Sequence, residues 1–145
     1  MTILRKLFEF NIPREDLVLI YTMYIRSVLE YNSNVWFSAI TNIEREDIER
    51  VQKVACKIIL KGDYTSYAQA LGTLNLMSLS DRRQMLAERF AVKCTKSDRF
   101  KNLFPKNHKK MELRSTEQYL IKFCNGSRLQ NSSIPVMQKI LNRRK

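Results

Sequence analysis

The run from Pro13 to Phe37, PREDLVLIYTMYIRSVLEYNSNVWF, constrains this chain most. Pro13 fits the first helical position, where a missing N–H costs nothing. Glu15 and Asp16 fall in the first turn, where the helix dipole favours negative charge. Leu17, Val18, Leu19, Ile20, Tyr21, Met23, Tyr24, Ile25, Val28 and Leu29 then follow with few breaks. At 3.6 residues per turn, Leu17, Ile20, Tyr21, Tyr24 and Val28 share one face, and Val18, Ile25 and Leu29 form a second beside it. A helix apolar over most of its circumference is a buried one. The pattern therefore predicts a buried central helix over 13–30 with the other helices packed around it. Arg26 and Glu30 interrupt the run, so it does not read as a membrane span.

The rest of the chain also reads as helix. Three Gly and three Pro in 145 residues leave few turns, which favours long regular elements. Ile3, Leu4, Leu7 and Phe8 have helical spacing. Thr41-Asn42-Ile43-Glu44 matches a capping box and opens a helix to about Lys61, with Gly62 placed to end it in the left-handed conformation. Its apolar row is Ile48, Val51, Ala55 and Ile58, and Glu46→Arg50 and Glu49→Lys53 are spaced as ion pairs. Ser66 opens a short helix to about Leu74, with Asn75 at the left-handed position. Ser78 or Ser80 caps the next helix, Leu79 to about Lys96. Ser132 or Ser133 caps the last, with Pro135 in its first turn. Trp36, the single tryptophan, reads as a core anchor. From Lys106 to Asn131 the periodicity fails, and mostly irregular chain is expected, with short extended pieces around 117–124. The expected architecture is all-α, about six helices in a domain over 1–104, followed by a basic arm and C-terminal helix over 105–145.

Charge is unevenly spread. The total is +12, with −2 over residues 1–50, +1 over 51–81 and +13 over 82–145. A basic C-terminal half on a near-neutral N-terminal half points to a polyanion partner, RNA or DNA held through phosphates. In the helix from Leu79, the wheel puts Leu79, Leu86, Phe90 and Cys94 on one face and Arg82, Arg89, Lys93 and Lys96 on another row. Four cations in a row suit a phosphate backbone; they equally suit an ordinary wet face. Arg83 falls on the apolar side and must snorkel or pair with an acid. Lys106, Lys109 and Lys110 extend the basic set. Tyr119 and Phe123 lie among the basic residues that follow, where they either stack on bases or tuck the arm onto the domain.

Catalytic chemistry is not in evidence. There is no phosphate loop, dinucleotide fingerprint, nucleophile elbow or HExxH. One histidine, His108, and three scattered cysteines, Cys56, Cys94 and Cys124, make neither a zinc site nor a disulfide framework. Reduced, buried thiols in an intracellular protein, nuclear or cytoplasmic, are expected. Residues 1–10 carry Arg5, Lys6 and Glu9 and no long apolar run, so no secretory leader is expected. No catalytic residue, cofactor or metal is assigned.

The ordered motifs resemble those of a known family. Leu4-Arg5-Lys6-Leu7, Ile12-Pro13, Ile20-Tyr21, Tyr24-Ile25-Arg26-Ser27-Val28-Leu29-Glu30-Tyr31, Val35-Trp36, Ile48-Glu49-Arg50-Val51-Gln52-Lys53, Asp63-Tyr64-Thr65-Ser66-Tyr67, Arg82-Arg83 and Ile134-Pro135 resemble the region downstream of the palm in jockey-like non-LTR retrotransposon reverse transcriptases. The resemblance implies a helical thumb and post-thumb segment of an RNA-directed DNA polymerase. It implies that the catalytic aspartates belong to an upstream palm, and that this chain grips template or primer–template backbone. Ser27 and Asn34 stand where that family often has Pro, and Asn75 where Gly is common. The stretch 123–126 lacks the family's basic residues, which fits a decayed or repurposed copy. Residues 4–37 also resemble the N-terminal helical region of AlkB-homologue tRNA-modifying proteins, although no His-x-Asp…His iron site is present. The alternative expectation is a helical protein-interaction domain, or an element fragment without selected function.

Overall fold

The computed structural model describes residues 1–107, 118–121 and 124–143. Every regular element among these residues is helical, and the chain is all-α. In order they are α1 (Thr2–Glu9), α2 (Arg14–Ile20), a π-helical turn (Tyr21–Ile25), α3 (Arg26–Glu30), α4 (Ser33–Trp36), α5 (Asn42–Leu60), a 3-10 turn (Lys61–Asp63), α6 (Tyr67–Thr73), α7 (Leu79–Lys96), a second 3-10 turn (Lys101–Leu103), α8 (Ser127–Gln130) and α9 (Ser133–Arg143). One isolated antiparallel bridge joins Lys106 and Tyr119.

The chain divides into two compact units, one of residues 1–31 and 41–82, the other of 32–40 and 83–145. The division falls within α7, whereas the loss of helical periodicity after Pro105 sets the expected boundary at 104/105. Local periodicity does not register that the 32–40 segment belongs with 83–145.

In the first unit, Leu4, Leu17, Tyr21, Ala55, Cys56, Ile59, Leu60, Ala70 and Leu74 form the core. Burying an aliphatic side chain as fully as Leu4, Leu17 and Ile59 are buried contributes about 2 kcal/mol each. The 13–30 segment is enclosed on one face only. Leu17 and Tyr21 are inside, whereas Met23, Tyr24 and Val28 are exposed. The π turn explains this. It inserts one extra residue into the helical repeat and rotates all that follows by about 100°. Ile25 and Leu29 thereby take the inward positions that an unbroken α-helix assigns to Tyr24 and Val28.

A buried chain of hydrogen bonds runs through the same unit. The Tyr21 hydroxyl donates to Gln52 Oε1 at 2.7 Å. Gln52 Nε2 donates to Tyr67 Oη at 3.0 Å and to the Met77 carbonyl at 2.8 Å. Tyr67 donates in turn to Glu49. Glu49 accepts the Leu79 and Ser80 backbone N–H groups at 3.1 and 3.2 Å. Gln52, with no exposed surface, thus satisfies its acceptor oxygen and both amide hydrogens. Burial holds both Tyr21 and Tyr67 far above the usual phenol range, so both stay neutral donors.

Local signals behave as chemistry requires at several ends. Thr41 and Glu44 close a reciprocal capping box. Ser66 accepts from the Gln69 N–H, and Asn75 sits at φ 50°. The end of α5 differs: Lys61, not Gly62, takes the positive φ, at 46°. On α5, Arg50 pairs with Asp47, three residues back, at 2.9 Å rather than with Glu46. Glu49 turns away from Lys53 toward the orphan N–H groups of α7.

In the second unit, Ala91, Cys94, Phe104, Met137 and Leu141 form the core. Short α4 packs on α9. Trp36 is half-buried, and the Arg83 guanidinium lies over its ring at 5.7 Å. A planar cation spread on an indole face explains how Arg83 tolerates burial on the apolar side of α7. Tyr119 meets Phe104 edge-on with centroids 6.5 Å apart. Its backbone exchanges two hydrogen bonds with the Asn142 side chain, at 2.8 and 3.0 Å. Tyr119 therefore tucks the arm against the domain. Phe123 lies outside the described residues.

Candidate nucleic-acid interface

The candidate interface begins with α7. Its first turn is fixed in the first unit, where Ser78 Oγ accepts the Asp81 N–H at 3.0 Å and Glu49 takes two further orphan donors. The buried side of the helix runs through Leu79, Arg83, Ala87, Ala91 and Cys94. Phe90, which the wheel placed inside, is partly exposed.

The four cations expected as one row divide into two kinds. Arg82 is half-buried and forms an ion pair with Glu30, which also faces Arg26 Nε at 4.0 Å. Its guanidinium is committed within the first unit and is poorly placed to leave for a phosphate. Arg89, Lys93 and Lys96 belong to the second unit and are exposed. At positions i, i+4 and i+7 they share one side of α7. Among the described residues none of the three forms an ion pair.

Lys106 is exposed and sits at the isolated bridge, where Asn107 donates its N–H to the Gln118 carbonyl at 3.0 Å. It lines a cleft of about 470 Å³ together with Thr95, Lys101 and Asn102. Lys101, which the sequence pattern did not single out, is held there by Asp98 at 2.7 Å. Its spacing of three from Asp98 was the signal available. Lys109 and Lys110 lie outside the described residues.

Among the described residues, the chemistry this arrangement offers is cationic and donor-rich. Cys94, on the opposite side of α7, is buried, and burial raises its thiol above the ordinary range despite the opposing charge of Lys93. Among the described residues no three His, Cys, Asp or Glu side chains cluster as metal ligands. No described helix is long and apolar enough to cross a membrane. Compared with models of protein families, with curated proteins and with solved structures, the chain matches none.

Proposed function

We propose that this chain is a non-catalytic piece of an RNA-directed DNA polymerase of the retrotransposon type, and that it contacts the RNA template or the primer–template duplex through its phosphates. The polymerase origin rests on the resemblance of the ordered sequence motifs, and the observation that carries the phosphate contact is the exposed row Arg89, Lys93 and Lys96, without ion pairs, on one side of α7. The +13 charge of residues 82–145 supports it. Contacts of this kind supply affinity without base specificity.

A salt titration of RNA and duplex binding tests the reading. Affinity is expected to fall steeply and linearly on a log–log plot, losing about 0.7 to 0.9 in slope per phosphate neutralised. Absence of binding at ~50 mM salt, where phosphate contacts are strongest, overturns it.

A second reading, a protein-interaction domain, is favoured by one observation: Leu19, Met23, Tyr24 and Val28 expose apolar surface on the 14–30 segment. It calls for binding that survives high salt, the opposite of the first signature.

A further inference from the structure

The stretch 51–81 contains three basic residues, Lys53, Lys57 and Lys61, and all three fall on one row of α5 and the turn that follows it. Each ammonium rests on an aromatic face. Lys53 lies over Tyr67 at 5.3 Å, Lys57 over Tyr64 at 5.4 Å and Lys61 over Phe8 at 4.9 Å. Ring faces attract cations and restrict where the long side chains point. Arg5, exposed on α1, lines a shallow cleft of about 210 Å³ with Phe8, Glu9, Lys57 and Lys61. That cleft carries three positive charges against one negative. Of the nearby acids, Asp63 pairs with Arg14 at 2.6 Å and Glu49 is taken up by Tyr67 and the start of α7, which leaves Glu9 in the cleft and Glu46 near Lys53 against the four cations. Among the described residues none of Arg5, Lys53, Lys57 and Lys61 forms an ion pair.

We infer that Lys53, Lys57 and Lys61, with Arg5, form a second backbone-binding surface in the first unit, one that tracks successive phosphates of a nucleic-acid strand. Four residues of helix advance about 6 Å, so the ammonium groups step along the axis on the scale of a backbone repeat. Each ammonium keeps donors free on the side away from its ring. An anion there also finds the negative end of the α5 dipole offset by Lys57 and Lys61 themselves. This inference rests on the nucleic-acid reading above and extends it from α7 to α5.

The experiment is fluorescence anisotropy of a labelled 20-nucleotide poly-uridine strand with the full chain, titrated between 50 and 200 mM salt. The K53Q/K57Q/K61Q variant is compared with R89Q/K93Q/K96Q, and circular dichroism confirms that each is folded. Loss of three single-strand phosphate contacts lowers the salt slope by about 2, a difference of about 15-fold in the affinity lost across that range. The charge-preserving K53R/K57R/K61R variant is expected to keep the wild-type slope. Should the triple glutamine variant not fold, K57Q alone is expected to lower the slope by about 0.7. An unchanged slope in the folded α5 variant, with the α7 variant impaired, overturns this inference and leaves the parent reading standing. No binding by the wild-type chain at ~50 mM salt overturns both.

Discussion

At the scale of single residues, Gln52 bears the greatest structural demand. Each of its three hydrogen-bonding positions meets a different element: the π turn through Tyr21, α6 through Tyr67 and the approach to α7 through Met77. Removing a buried partner costs more than the bond itself, because the groups left behind lose water and gain nothing. Gln52→Leu is expected to destabilise the fold by about 3 kcal/mol in urea denaturation, with the Tyr21 hydroxyl and the Met77 carbonyl stranded. Tyr21→Phe in that background removes one stranded group, so the double variant is expected to lose less than the sum of the singles. Strict additivity would show that the two side chains do not share a network. Cys56 is the second residue with a definite expectation. Burial pushes its thiol up to about 11, and it has no exposed surface. It is expected to resist a thiol reagent such as dithionitrobenzoate at pH 8 until denaturant opens the first unit, because the thiolate is the reactive form. Immediate stoichiometric labelling of Cys56 in the native chain would contradict this burial.

At the scale of elements, the start of α5 gives a pH prediction. The Thr41 backbone N–H and hydroxyl hold the Glu44 carboxyl below its ordinary range. A depressed carboxyl contributes stability above its unfolded pKa and loses that contribution as pH falls through the folded value. The difference in melting temperature between the native chain and Glu44→Gln is therefore expected to be present at pH 7 and to fade as acid protonates the carboxyl. A pH-independent difference would assign the effect to something other than the charged cap. Thr41→Ala is expected to cost about 1 kcal/mol. This box was fully legible, since a capping box is local chemistry within four residues. The 13–30 helix was legible in existence but not in facing. A π turn has no simple residue signature, and one inserted residue exchanges Tyr24 and Val28 for Ile25 and Leu29. The same limit applied to the basic row on α7. Spacing placed Arg82 with Arg89, but only the fold brings Glu30, 52 residues earlier, against it. The lysines of α5 were hidden for a related reason, because net charge over 51–81 is close to zero and the rings beneath them come from other segments.

At the scale of the whole molecule, the division of the chain makes the two halves of the sequence unequal as fragments. Everything that builds the first unit lies within residues 1–82, including all nine residues of its core and the Tyr21–Gln52–Tyr67–Glu49 chain. The second unit is not contained in 83–145. It also takes residues 32–40, which bring α4 against α9 and Trp36 beneath the Arg83 guanidinium. Cutting the chain at 82/83 removes that segment and leaves Arg83, only 2% exposed, without its ring. It also separates the first turn of α7 from the rest of the helix, where nucleation is the costly step. Residues 1–82 alone are therefore expected to melt as a helical, cooperative unit in circular dichroism. Residues 83–145 alone are expected to show weak helicity and no cooperative transition. Adding a 32–40 peptide in trans is expected to recover little, because the loop that tethers it supplies a high effective concentration that a free peptide lacks. A sharp melt of 83–145 by itself would show that the C-terminal half folds without Trp36 and the 32–40 segment.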